Sequence, residues 1–528
     1  MRRPLRDVVS RQRVWIWPAL IGLTATLTWS SPAGADGDRS GLPEAIETIL
    51  GDARMEGGAA SVVIADAASG DVLYERQPTG RLTPASNTKL TTAAAALELL
   101  GPDYRFTTDA LADGKRSGSV LHGDLYLRGT GDPTTLAADY DRLAADVAAA
   151  GIKRVTGRLV ADDTRFDSER LGTSWAADDE SAYYSAQISP LNVAPDTDYD
   201  AGTVVVEAAP GAKPGDTPKV TLTPKTDYVD VELRATTVAR DGTDTLSVAR
   251  EHGGNTITVS GDIPVGGAPT KEWISVWEPT GYAAAVFRDA LTAHGVRVDD
   301  GTRLGRATPK GAEQLAAHRS MPLKDLLVPF MKLSNNMHAE VLTKTIGYEK
   351  SGHGTWSAGL DGISGYLKSA GVDPGTLRQV DGSGLSRMNA FPARQLAGLL
   401  LSVRDEPWYD DWYASLPVAC EPDRFVGGTL RSRMCDTPAA RNARGKTGSL
   451  TGASALSGYV TDAGGRELVY SVILNNYLAS SVKSVEDAIV VTLASSDEDR
   501  AVLVRPRAER AAEQDAGLEC SWVKPRRC

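Results

Sequence analysis

The sequence predicts an α+β chain of several domains: an antiparallel sheet with flanking helices, carrying a nested αβ domain and an all-β domain. Three observations predict it. Short β-rich hairpins followed by helical runs stand near both ends of the chain, two Ala-rich helical stretches closed by glycine lie further in, and a Thr/Val-alternating stretch separates those two. A length of 528 residues gives, at about 150 residues per domain, three to four domains. Hydrophobic residues at 41% and charged residues at 24% are ordinary for a folded protein, which excludes wholesale disorder.

The chain opens with Arg2, Arg3, Arg6, Arg11 and Arg13 against a single Asp7, and then runs without charge from Val14 to Ala35. A basic n-region, an apolar stretch and the small residues Ala33-Gly34-Ala35 make an export signal, with cleavage expected after Ala35. An uncleaved anchor is the alternative; Pro18, Gly22 and the Ser/Thr-rich end weaken it as a spanning helix. Residues 60–65 and 71–76 then read as a hairpin about Ala67-Ala68-Ser69-Gly70. From Ser86 the pattern turns helical, with Leu90, Ala93, Ala94, Leu97 and Leu100 at intervals of three and four and Gly101 as the stop.

Residues 136–150 and 282–294 are the two Ala-rich helices, closed by Gly151 and Gly295 and each followed by a Val-containing run, as two halves of one αβ domain would be. Between them the alternation at 203–206, 219–222, 229–233 and 256–260 predicts strands of an all-β insertion. Residues 455–461 and 467–475 form a late hairpin about Asp462-Ala463-Gly464-Gly465, and 481–493 a final helix. The expected division is therefore a signal at 1–35, domain I at 36–105 and 319–495, domain II at 106–195 and 273–318, domain III at 196–272, and a tail at 496–528. Contiguous domains are the alternative, and the two ends of domain I decide between them.

Composition also limits function. With 57 Lys and Arg against 68 Asp and Glu the net charge is −11, so no broad cationic surface exists for nucleic acid. Six His without an HExxH pattern and four Cys without a CxxC pattern give no zinc site, and no metal or cofactor is expected. Export places the cysteines where disulfides persist, and Cys420–Cys435 with Cys520–Cys528 are the sequence-local pairing among three.

Ser86-Asn87-Thr88-Lys89 opens the first helix of this reading, which puts Ser86 and Lys89 one turn apart on one face. A lysine can take the hydroxyl proton only when neutral, so burial and a second cation must bring its pKa down from about 10.4. Alone the pattern is weak, since it recurs at 480–483 and 521–524, where a solvated lysine near a capping serine explains it. Ser334-Asn335-Asn336 and Lys446-Thr447-Gly448 change the odds, because SxxK, SxN and KTG in this order form a specific set. Lys350-Ser351-Gly352 fits the last pattern too but follows Ser334 too closely to supply a separate strand. In this set Ser334 relays a proton to a leaving amine and Asn336 holds a substrate amide. Lys446 and Thr447 hold a carboxylate, and Gly448 lets the strand approach an extended peptide. The backbone amides of Ser86 and Ser449 make an oxyanion hole.

With these motifs the chain resembles the penicillin-interacting serine acyl transferases, and specifically the class C low-molecular-mass penicillin-binding proteins, which are D-alanyl-D-alanine carboxypeptidases and endopeptidases. The likeness covers about residues 42–495. It includes the run Gly123-Asp124-Leu125-Tyr126-Leu127-Arg128-Gly129-Thr130-Gly131-Asp132-Pro133, the run Asp381-Gly382-Ser383-Gly384-Leu385-Ser386-Arg387, and Gly428-Thr429-Leu430. The resemblance implies the penicillin-binding, β-lactamase-like transpeptidase fold, and attack by Ser86 on the D-Ala-D-Ala end of peptidoglycan stem peptides. It further implies acylation by β-lactams and a side-chain subsite for a diaminopimelyl end, matched by Trp175, Asp178, Tyr183 and Arg387. Leu450 departs from the methionine some members carry. A β-lactamase would share the three motifs, but the Glu-x-x-Leu-Asn element of class A is absent, Ile188 standing where its Glu should be. A catalytically silent wall-binding protein is the other alternative, and no GxSxG stretch supports a Ser-His-Asp hydrolase.

Overall fold

In the computed structural model of the chain, residues 41–508 are described; the expected export signal and Cys520 and Cys528 lie outside them. Strands Ala59–Asp66 (β1), Val72–Arg76 (β2), Arg444–Leu450 (β3), Ala453–Thr461 (β4) and Glu467–Asn475 (β5) make one antiparallel sheet in the order β3-β4-β5-β1-β2. Val62 stands opposite Val472, so the first strand and the last are neighbours. Both faces of this sheet are buried, and the period of two sorts its side chains between two cores. Val63, Val469 and Ile473 face one core with Leu90, Phe330 and Leu342. Val62, Ile64 and Val472 face the other, with Ile489 and Leu493. Each such side chain, fully buried, contributes about 1.5–3 kcal/mol.

On the first of those faces lie helices Lys89–Leu100 (α1), Leu323–Lys332 (α2), Asn336–Ser351 (α3) and Trp356–Ser369 (α4). The whole of α1 from Lys89 to Leu97 is buried, which accounts for its four consecutive alanines: neighbours press on every side, and small side chains let them. Gly101, at φ 86°, ends it. The expected helix start at Ser86 is corrected: Ala85–Thr88 is a 3-10 turn and the α-helix begins at Lys89. In a 3-10 turn residues three apart eclipse, so Ser86 and Lys89 still share a face. The last helix runs Lys483–Ser495 rather than from 481.

Strands drawn from residues 107–162 and 297–319 share one seven-stranded sheet, with Arg154–Val155 parallel to Arg297–Val298. Helices Ala137–Ala149 and Pro279–Ala293 contribute Leu143, Val147, Phe287 and Leu291 to its core. Six strands between residues 203 and 275 form two three-stranded sheets. Ser247–Arg250 and Thr270–Ser275 are two that the alternation did not disclose, being short and polar. Thr270–Ser275 pairs with Thr203–Ala209, so a division after residue 272 would cut through a strand. Among the described residues no helix is long and apolar enough to cross a membrane.

Cys420 and Cys435 are joined by a disulfide, with Cα atoms 4.9 Å apart, around the turn Gly428–Leu430. A bridge across 15 residues contributes ~3 kcal/mol in the chain-entropy picture. Cys420→Ala combined with Cys435→Ala should therefore lower the urea midpoint of the oxidised protein; an unchanged midpoint would show that the loop is held by packing alone.

Candidate active site

Three chain segments converge on Ser86. The 3-10 turn carrying it precedes α1, and Ala85 adopts the left-handed φ of 46° that turns the chain sharply there. The loop between α2 and α3 brings Ser334, also left-handed at φ 58°. Left-handed backbone at non-glycine residues is costly and collects at functional sites. Asn335 secures the start of α3 by accepting from Met337 N and His338 N at 3.0 and 3.3 Å. The third segment is β3, the edge strand of its sheet.

Lys89 is fully buried. Its Nζ lies 2.9 Å from Ser86 Oγ, 2.6 Å from Asn336 Oδ1 and 2.9 Å from the Ser383 carbonyl. The amide and carbonyl oxygens can only accept, so an uncharged amine donates its two N–H groups to them and turns its lone pair to the Ser86 hydroxyl. Lys446, also fully buried, donates from Nζ to Ser334 Oγ at 2.7 Å and to the Thr447 carbonyl at 2.9 Å. Thr447 and Thr429 hydroxyls are 2.8 Å apart, and Asn87 Nδ2 donates to the Lys446 carbonyl at 2.9 Å. Ser86 and Asn336 are half-buried and Ser334 is buried.

Gly448 shows how close the edge strand runs. A Cβ there would lie 2.6 Å from the Pro84 carbonyl oxygen and 3.0 Å from the Ser86 nitrogen. Gly448→Ala must push β3 off the Ser86 turn, and small displacements of reacting groups cost about 100-fold. The expected outcome is a loss of that order in acylation by penicillin, with melting little changed; acylation at the wild-type rate would remove the close approach from the argument. Ser449, next along, has its hydroxyl oxygen buried with no hydrogen-bond partner.

The expected subsite residues are placed unevenly. Trp175 is half-buried; its indole N–H donates to Asp381 at 3.1 Å and its ring packs edge to face on Trp356. Asp178 is exposed on the turn Ala177–Asp179. Tyr183 packs edge to face on Tyr184, whose carbonyl accepts from Asn336 Nδ2 at 2.8 Å. Arg387 is exposed and donates to the Thr451 carbonyl at 2.9 Å, beside the turn between β3 and β4. Ser174 Oγ meets Met388 Sδ at 2.9 Å, so the loop of Trp175 lies against the loop of Arg387. Asn336 thus makes one bond to the protein from each end of its carboxamide, and its Nδ2 carries a second N–H for the substrate amide expected of it. The discounted Lys350-Ser351-Gly352 is the end of α3, with Gly352 as its left-handed cap.

Sequence reasoning missed the carbonyls of Ser383 and Tyr184, because a backbone oxygen leaves no trace in residue type. Thr429 and the loop 381–387 entered only through resemblance. Among the described residues no group of His, Cys, Asp and Glu is arranged to hold a metal ion.

A sheet backed by helices, with a serine at the head of the buried helix and a lysine-bearing strand at the sheet edge, is an α+β fold of the penicillin binding protein 4 type. The structure is similar to the crystal structure of penicillin binding protein 4 (dacB) from Haemophilus influenzae, with a TM-score of 0.72 and 25% identity, covering 83% of this chain and 94% of that one. The chain is 45% identical over 510 residues to a D-alanyl-D-alanine carboxypeptidase of Actinomadura sp. (strain R39), covering 95% of this chain and 94% of that protein. It is 26% identical over 444 residues to a penicillin-sensitive carboxypeptidase A of Dictyostelium discoideum, 78% of this chain and 81% of that one. Residues 42–496 match the family described as D-Ala-D-Ala carboxypeptidase 3 (S13), and the chain belongs to that family.

Proposed function

We propose that the protein is a serine-type D-Ala-D-Ala carboxypeptidase acting on peptidoglycan stem peptides, that it also cuts D-Ala cross-links as an endopeptidase, and that β-lactams acylate it on Ser86. The observation that carries this reading is the Lys89 amine, buried, 2.9 Å from Ser86 Oγ, with acceptors on its other side. The open edge of β3 beside Ser86 suits an extended peptide, and the named relatives support the substrate class.

The residues divide the reaction as follows. Ser86 Oγ attacks the carbonyl of the penultimate D-Ala while its proton passes to Lys89. The tetrahedral oxyanion is held by the backbone N–H groups of Ser86 and Ser449. The C–N bond breaks, and the leaving amine of the terminal D-Ala takes, through Ser334, the proton that Lys89 received from Ser86, which returns Lys89 to its neutral form; Lys446 holds Ser334 in place. The terminal carboxylate is met by Thr447 with the positive charge of Lys446 behind it. Water then attacks the ester and gives its proton to the neutral Lys89, which passes it to Ser86 Oγ as the ester C–O bond breaks.

Trp175, Asp178, Tyr183 and Arg387 bound the side-chain subsite in this proposal; the contact between their two loops supports it, and Asp178 and Arg387 would meet an ammonium and a carboxylate. Work on peptidoglycan requires export, for which residues 1–35 are the proposed signal. The nested division into domains I, II and III is supported by β1 pairing with β5 and by one sheet built from residues 107–162 and 297–319. The deciding experiment is D-Ala release from a diacetyl-Lys-D-Ala-D-Ala peptide, with intact mass after exposure to penicillin. Release together with one long-lived adduct is expected. Rapid penicillin turnover would move the protein to the β-lactamase reading, and no adduct with no release would make it a binding protein.

A further inference from the structure

Two carboxyl groups that the reaction above does not use are fully buried beside it. Glu340 lies one turn beyond Asn336 on α3, and its carboxylate accepts from Trp356 Nε1 at 2.7 Å and from the backbone N–H groups of Gly382 and Ser383 at 2.8 Å each. Asp381 accepts from Gly384 N at 2.9 Å, Ser386 N at 2.6 Å, Asn389 Nδ2 at 2.7 Å and Trp175 Nε1 at 3.1 Å. Every one of these partners is a donor, so the ionised carboxylates are the forms the site is built to hold. Burial first, and then the charge of Asp381, push Glu340 up; burial pushes Asp381 up as well. A core needing only to be filled does better with apolar residues than with two like charges.

What the pair grips is the loop that faces Lys89. Between the two N–H groups held by Glu340 and the two held by Asp381 lies the Ser383 carbonyl, the acceptor 2.9 Å from Lys89 Nζ. The loop is wedged on both sides: a Cβ at Gly382 would lie 2.6 Å from the Ala339 carbonyl oxygen, and one at Gly384 1.9 Å from that of Ala85, beside the nucleophile.

We propose that Glu340 and Asp381 are positioning residues for Lys89: they fix the Ser383 carbonyl that, with Asn336, aims the amine lone pair at Ser86. Through Trp175 and the Ser386 N–H, Asp381 ties the same loop to the flank where Arg387 stands. The inference rests on the proposed reading of Ser86 and Lys89. The charged and titratable groups around the pair are Lys89, reached through Ser383, Lys344, whose Nζ lies 3.8 Å above the Trp356 ring and is paired with Asp167, and His338, two residues before Glu340 on α3, which burial pushes down to about 4. Negative charge on this pair favours the charged form of Lys89, so removing one carboxylate favours the neutral amine.

The test is stopped-flow acylation by a fluorescent penicillin, separating the acylation rate constant from the preceding dissociation constant across the pH range of about 5 to 10, for wild type, Glu340→Gln and Asp381→Asn. Glu340→Gln should acylate about tenfold or more slowly with the dissociation constant within about twofold, and its acid limb should move to lower pH by about one unit. A folded Glu340→Gln with the wild-type rate and the wild-type limb overturns the proposal. So does a slower rate with an unmoved limb, which is what loosened packing alone would give. Asp381→Asn repeats the measurement should Glu340→Gln fail to fold, with the same outcomes on each side. Failure of both variants to fold makes the pair structural and likewise overturns it. A wild type never acylated at Ser86 would refute the underlying reading instead.

Discussion

Ser86→Ala is expected to show no mass adduct after exposure to penicillin and to release D-Ala about 10⁴-fold more slowly or worse, with its melting temperature retained. The size follows from the chemistry: with no hydroxyl there is no acyl-enzyme, and what remains is the help that the oxyanion hole and binding give to direct attack by water. Fold retention follows from position. Ser86 is half-buried in a 3-10 turn that Asn87 ties to the Lys446 carbonyl, so removing one oxygen opens little space and leaves the turn's own bonds in place. The measurement is intact mass with peptide mapping. An adduct persisting in Ser86→Ala would place the nucleophile elsewhere and would dismantle the proposed reaction.

The second large effect belongs to Lys89. Lys89→Met keeps nearly the same volume in a fully buried position while removing the base, and acylation should fall by about 10²–10⁴-fold. The side-chain oxygen of Asn336 and the carbonyl of Ser383 lose a donor each, at about 1–3 kcal/mol for a buried acceptor left unmet. Against this, the variant no longer buries an amine. The two effects oppose, so stability should change far less than activity. Acylation rate and chemical denaturation measured on one preparation check both parts. A variant that acylates at the wild-type rate would transfer the base to another group, with Lys446 the first to examine through its contact with Ser334.

What was legible in the sequence was whatever leaves a period or a residue type. The hairpins at both ends, the two Ala-rich helices with Gly151 and Gly295, and the strands at 203–206 and 256–260 all carry such a signal, and each is present in the structure. The convergence of Ser86, Lys89, Ser334, Asn336 and Lys446 was inferred from motif order, and hydrogen bonds link them in two groups, around Lys89 and around Lys446. The start of α1 was misplaced because 3-10 and α turns share the same spacing over four residues. Thr270–Ser275 was missed because a six-residue strand containing Lys271 and Glu272 resembles a loop in composition. The bond from Asn336 to the Tyr184 carbonyl was not legible because nothing in its neighbours along the chain reveals a group brought in from more than a hundred residues away.

The pairing of β1 with β5 sets a rule on how the chain reaches its native state. Val62 waits for Val472, so the hairpin of β1 and β2, the earliest part made, has no neighbour on its inner side until nearly the whole polypeptide has emerged. Closing a span of that length costs only about 5 kcal/mol in chain entropy, because the cost grows with the logarithm of length. The delay is the greater penalty: an interrupted chain exposes an orphan apolar edge, the kind of surface on which chains associate wrongly. A nonsense change between residues 90 and 466 would therefore yield a product in which the serine is present, its motif intact, and no wall stands behind it.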